Sequence, residues 1–127
     1  SAVPEFLKPA VELKNAGNLD DALVSLQKLS ETNDDGLIKT LMGDIHFQKR
    51  NYKEAADSFE EIIENTTSSN VKKETEMKLL MTYLADGREA DFEKLKAAII
   101  ATGNKGRSLK INELEADMSS FRRWFSS

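Results

Sequence analysis

Apolar residues recur three and four positions apart along almost the whole chain, which is the spacing that places them on one face of a helix. Strict alternation of apolar and polar residues over a strand length is not seen, and short clusters of Gly, Asn and Asp interrupt the helical pattern. The pattern predicts an all-α protein of about seven helices, over residues 4–15, 19–31, 36–49, 52–65, 71–85, 89–101 and 108–125. The short loops between them favour antiparallel neighbours.

Part of this pattern is repeated. The segment GNLDDA from Gly17 matches RNYKEA from Arg50 at an offset of 33 residues. At the same offset Ala10 falls on Gly43, Leu13 on His46, Leu26 on Phe59 and Leu29 on Ile62. In a looser third copy, Leu80, Tyr83 and Gly87 take the places of Gly43, His46 and Arg50, whereas Phe92 replaces the small Ala22 and Ala55. We therefore expect one domain over residues 1–127, with repeats at about 3–35, 36–70 and 71–103 and a capping helix at about 107–125.

The second copy resembles the tetratricopeptide repeat most closely, through Gly43, Asn51-Tyr52, Ala55 and Phe59. The resemblance covers about Val3 to Gly103. It implies antiparallel helical hairpins stacked in a right-handed α-α superhelix, with a concave groove along the first helix of each pair. It also implies protein–protein interaction rather than catalysis.

Gly43 and His46 fit this repeat as packing residues. Glycine within a helix costs about 1 kcal/mol relative to alanine, and we expect close packing at a crossing of Gly43 with Ala55 to offset that cost. His46 occupies a place where such repeats carry an aromatic or large apolar residue. A packing histidine is the favoured interpretation, and a general base or metal ligand is the alternative.

Composition narrows the function classes. The chain has no cysteine, one histidine and a net charge of −4, and we expect no metal, no cofactor and no catalytic residues. The excess of acidic residues lies before Glu64, and no basic face suited to nucleic acid is visible. No apolar run has membrane-spanning length. A cytoplasmic location is favoured, although a chain that starts at Ser1 leaves an upstream signal, anchor or longer protein open.

The concave face is the candidate partner site. Its residues are expected to be Lys14, Thr40, Asp44, Phe47, Met77 and Met81, with Asp44 as a lone acid at the centre. Trp124, flanked by two arginines, is a further candidate. The segment around Trp124 either caps the last hairpin or presents an aromatic and cationic patch to a partner or an anionic membrane surface.

Two functions remain open at this stage. The first is a non-catalytic interaction module, a scaffold or adaptor, that binds a peptide or helix in the concave groove. The alternative is an assembly module that stacks through its helical ends, either on copies of itself or on further repeats of a longer protein. The partner is another protein or peptide in both cases.

Overall fold

The computed structural model describes the backbone of residues 3–126 and the side chains of residues 3–117. Over this part the protein is all-α. A 3-10 turn at Glu5–Leu7 leads into the first of seven helices: α1 Lys8–Asn15, α2 Leu19–Thr32, α3 Gly36–Gln48, α4 Tyr52–Asn65, α5 Ser69–Ala85, α6 Glu89–Ile100 and α7 Lys105–Ser126. Each helix packs against the next in the chain, α7 also contacts α5, and α3 packs most extensively against α4.

Three of the helices begin at a side chain that accepts a hydrogen bond from a free backbone N–H group of the first turn. Asp35 accepts from the N–H of Leu37 at 2.9 Å and so starts α3. Ser68 accepts from the N–H of Val71 at 3.2 Å, which starts α5 two residues before the predicted position. Asn104 accepts from the N–H of Arg107 at 3.1 Å, and α7 accordingly begins three residues early.

The turn between the two helices of each hairpin has the same geometry three times. A residue in the left-handed region ends the first helix, namely Gly17 at φ 84°, Arg50 at φ 64° and Gly87 at φ 72°. The N–H of the following residue then donates to the carbonyl five residues earlier, from Asn18 to Leu13 at 2.9 Å, from Asn51 to His46 at 2.8 Å and from Arg88 to Tyr83 at 2.9 Å. This is the Schellman arrangement of a helix end. The sequence alignment of the three turns therefore corresponds to a repeated backbone structure.

The buried residues of the described chain form two clusters. The first contains Leu7, Ala10, Ala22, Leu23, Leu26, Ile38 and Ile45. The second contains Ala55, Ala56, Phe59, Ile62, Leu79, Leu80, Tyr83, Leu84, Phe92, Ile99 and Ile111. Phe92 is buried at the place that Ala22 and Ala55 hold in the other hairpins, so the third hairpin fills this place with a large ring.

The close approach at Gly43 involves a different partner from the one expected. A Cβ added to Gly43 would lie 2.6 Å from Cε1 and 3.0 Å from Cζ of Phe59, and its three nearest atoms all belong to that ring. Phe59 is 1% exposed, and Ala55 is buried nearby in sequence on the same helix. The absence of a side chain at Gly43 thus makes room for the Phe59 ring against the backbone of α3.

Candidate functional site

The candidate site is a cavity of about 280 Å³ lined by side chains of α1, α3, α4 and α5. Its lining residues are Lys14, Asp44, Phe47, Gln48, Phe59, Lys78 and Met81. Four of the residues expected from the sequence, Lys14, Asp44, Phe47 and Met81, are therefore brought together. The first helices of three successive hairpins contribute to this one cavity.

The floor of the cavity is apolar. Phe59 is held in place by its contact with Gly43, and Phe47 packs edge-to-face on Tyr52 with the ring centroids 5.3 Å apart. Phe47 is half-buried and also packs against the second buried cluster. Met81 is 38% exposed and presents a flexible, polarisable side chain to the open side. An apolar surface with one adaptable side chain suits an apolar group of a partner.

The rim of the cavity is charged. Asp44 is the only acid in the described lining, and it is paired with a lysine. Lys78 Nζ donates to both carboxylate oxygens of Asp44, at 2.9 Å and 3.0 Å, and so joins α5 to α3. Lys14 is half-buried, and its side-chain ammonium forms no ion pair or hydrogen bond with the residues that the structure describes. Since the charge of Asp44 is matched by Lys78, the unmatched charge at the rim is that of Lys14.

A second cavity, of about 830 Å³, lies at the other end of α3 and α5. Thr40 lines this second cavity and not the first, and its hydroxyl donates to the carbonyl of Gly36 at 3.1 Å. The cavity has four carboxylates in its lining, from Asp34, Asp35, Glu61 and Glu74. Lys78 lines both cavities, so they adjoin at that residue.

The remaining predicted residues lie outside these cavities. Met77 packs against the second buried cluster and lines neither cavity, so it contributes to the core rather than to the groove. The side chain of Trp124 lies outside the described residues. The sequence pattern did not identify Lys78 and Gln48 as residues of the first cavity. Lys78 is three positions before Met81 and therefore shares its helix face. This spacing could have identified Lys78 as a neighbour of Met81 in the cavity.

His46 is half-buried on α3, and its Nδ1 is buried without a hydrogen-bond partner in the described chain. Burial lowers the pKa of His46 below its ordinary value, while Glu54 opposes this shift and Lys49 adds to it. The neutral imidazole is therefore the favoured form in the folded protein. His46 does not line the cavity of α1, α3 and α5.

The described residues contain no group of three or more His, Cys, Asp or Glu side chains placed to hold a metal ion. None of their helices combines the length and the apolar character needed to cross a bilayer. Comparison of the chain with protein-family models, with curated proteins and with solved structures finds no match.

Proposed function

We propose that the protein is a non-catalytic interaction module of the tetratricopeptide-repeat type, which binds a peptide or helix of another protein in the groove along α1, α3 and α5. The observation that carries this proposal is the cavity over Phe47, Phe59 and Met81, to which three successive hairpins contribute. Such a concave, largely apolar site with a few charged groups at its rim is typical of a recognition surface.

The test is selection of binding peptides from a phage-displayed random library, followed by anisotropy titration of the selected peptides. Met81→Glu should weaken them by tenfold or more, because it replaces an apolar contact of the cavity with a hydrated carboxylate. Met81 is partly exposed, so this variant tests the groove with less risk to folding than Phe47→Ala, which also removes a core contact.

Val24→Glu is the matched control. Val24 lies on α2, is 51% exposed and lines neither cavity, so the same charge introduced there should leave peptide affinity unchanged. Equal affinities of the wild type and Met81→Glu for every selected peptide, with folding verified by circular dichroism, would contradict groove binding.

Assembly through the helical ends is the second candidate, favoured by large apolar side chains exposed on the first and last hairpins. Phe6 is 39% exposed at one end, and Ile100 is 43% and Leu109 60% exposed at the other. Sedimentation equilibrium distinguishes this function, since the single chain has a mass of 14.2 kDa. A larger mass that Phe6→Glu or Leu109→Glu reduces to that value supports assembly, and a monomer at all concentrations excludes self-assembly.

A further inference from the structure

The charges around the groove differ in sign from one end to the other. The first cavity is lined by Lys14, Asp44 and Lys78, of which Asp44 and Lys78 neutralise each other. Lys14 forms no ion pair with the residues described and leaves this end with a net positive charge.

The adjoining cavity has the opposite sign. The carboxylates of Asp34, Asp35, Glu61 and Glu74 line it, and the only cations in its lining are Lys39 and Lys78. Lys39 is paired with Glu61, and Lys78 is paired with Asp44. The acidic end is therefore left with three carboxylates for which the described lining provides no cation.

The volume of the first cavity limits what its apolar floor can hold. A cavity of 280 Å³ is below the range of typical small-molecule sites, but it exceeds the roughly 150 Å³ that suffices for a benzene ring. It accommodates one bulky apolar side chain rather than several. The side chains of Phe47, Phe59 and Met81 in its lining are suitable contacts for an aromatic group.

From these features we infer that the groove binds a protein segment in which a bulky apolar side chain has an acidic neighbour on one side and basic neighbours on the other. The apolar side chain lies over Phe59 and Met81, the acidic neighbour faces Lys14, and the basic neighbours face the carboxylates of the second cavity. This inference rests on the proposed function and adds the chemistry of the partner to it, because charge complementarity selects among segments that the apolar floor alone would accept equally.

The sequences of the peptides selected from the random library test the inference directly. The expected consensus is one aromatic or large aliphatic residue with Asp or Glu on one side and Lys or Arg on the other. Peptides whose binding depends on Met81 but whose flanks are neutral, or carry one sign only, would overturn the inference and leave the proposed function intact. Selection of no peptide that depends on Met81 would overturn both.

Two charge variants test the assignment of the ends, with the selected peptide as the probe. Lys14→Glu should weaken that peptide about tenfold, whereas Lys28→Glu, which makes the same change of net charge on the exposed face of α2, should change its affinity less than twofold. Asp44→Asn releases Lys78 from its ion pair and should strengthen binding about threefold.

Selection of peptides from the same random library on the Lys14→Glu protein tests which residue faces the acidic position of the consensus. The acidic position of the consensus should then be replaced by Lys or Arg. Retention of the acidic residue on the variant, or equal weakening by Lys14→Glu and Lys28→Glu, would show that Lys14 does not face it and would overturn the assignment.

Discussion

Gly43 determines how closely α3 and α4 approach, and its replacement should be costly for that reason. Gly43→Ala would place a methyl group 2.6 Å from the Phe59 ring, and overpacking of this kind costs about 1–3 kcal/mol. This outweighs the gain in helix propensity of about 1 kcal/mol, so a lower denaturation midpoint in urea is expected. Gly36→Ala is the control, because a Cβ there meets no atom within 4 Å. A denaturation midpoint unchanged by Gly43→Ala would show that the Phe59 ring can move away from the added methyl group without cost, which contradicts the prediction.

Among the residues that end the first helices of the three hairpins, Arg50 is the one whose backbone conformation is unfavourable for its residue type. It has φ 64° where the equivalent residues Gly17 and Gly87 are glycines, and a side chain in the left-handed region costs roughly 1–2 kcal/mol. Arg50→Gly should therefore stabilise the fold by about 0.5–1 kcal/mol after the greater freedom of glycine in the unfolded chain is deducted. Gly17→Ala should have the opposite sign. Chemical denaturation measures both, and a destabilised Arg50→Gly protein would reveal a contact of that side chain.

His46 makes stability depend on pH in one direction. Because burial lowers its pKa in the folded protein, the folded state binds fewer protons than the unfolded state around that pKa. The free energy of unfolding contains the full contribution of neutral His46 above the pKa of about 6.5 that this side chain has in the unfolded chain. This contribution is lost as the pH falls through the lower pKa of His46 in the folded protein. His46→Phe should remove this part of the pH dependence and leave stability equal or higher near neutral pH. Thermal melts of the two proteins across this pH range provide the comparison.

At the scale of the elements, α7 is attached to α5 by a nearly buried ion pair. Arg107 Nη2 donates to Glu76 Oε1 at 2.9 Å and to the carbonyl of Lys73 at 3.3 Å, and both charged side chains are 12% exposed. Arg107→Leu leaves Glu76 without its cation in this site, and a loss of about 1–3 kcal/mol is expected. The exposed pair of Lys53 and Asp57 is the control, since Lys53→Leu should cost less than about 0.5 kcal/mol.

Hydrogen exchange would show where the effect of Arg107→Leu is felt. Faster exchange is expected in α7 and in the part of α5 around Glu76, whereas the first buried cluster should keep its protection. Uniform acceleration along the chain would mean that α7 unfolds only together with the rest of the protein.

The helices themselves could be predicted closely because the apolar period runs through them with few exceptions. The bounds of α4, Tyr52–Asn65, agree with the prediction at both ends. The starts of α5 and α7 were placed too late because Ser68 and Asn104 lie in polar stretches that read as loops, although each is the residue type that caps a helix. Capping hydrogen bonds determine where these two helices start, and the spacing of apolar residues carries no information about such bonds.

The site was harder to predict than the helices because it depends on the rotation of each helix about its axis. On α5 the face at Met77 and Met81 was expected, but Glu74, Lys78 and Met81 line the cavities. A rotation of α5 about its axis decides whether Met77 or Lys78 lines the cavity. The apolar residues of α5 are spread over more than one face of the helix, so the sequence pattern could not choose between the two. The pairing of Lys78 with Asp44 between helices could not be derived before that rotation was known.

At the scale of the whole molecule, the division into two buried clusters has a consequence for synthesis of the chain. The fully buried members of the first cluster lie between Leu7 and Ile45, and those of the second between Ala55 and Ile111. A chain that leaves the ribosome from its N-terminus can therefore close the first cluster before the residues of the second have emerged. Contacts between neighbouring helices also require only short loops to close, which favours rapid folding. Helix α3 contributes Ile38 and Ile45 to the first cluster, so the backbone of α3 at Gly43 is already ordered when α4 emerges. The ring of Phe59 can then pack directly against it.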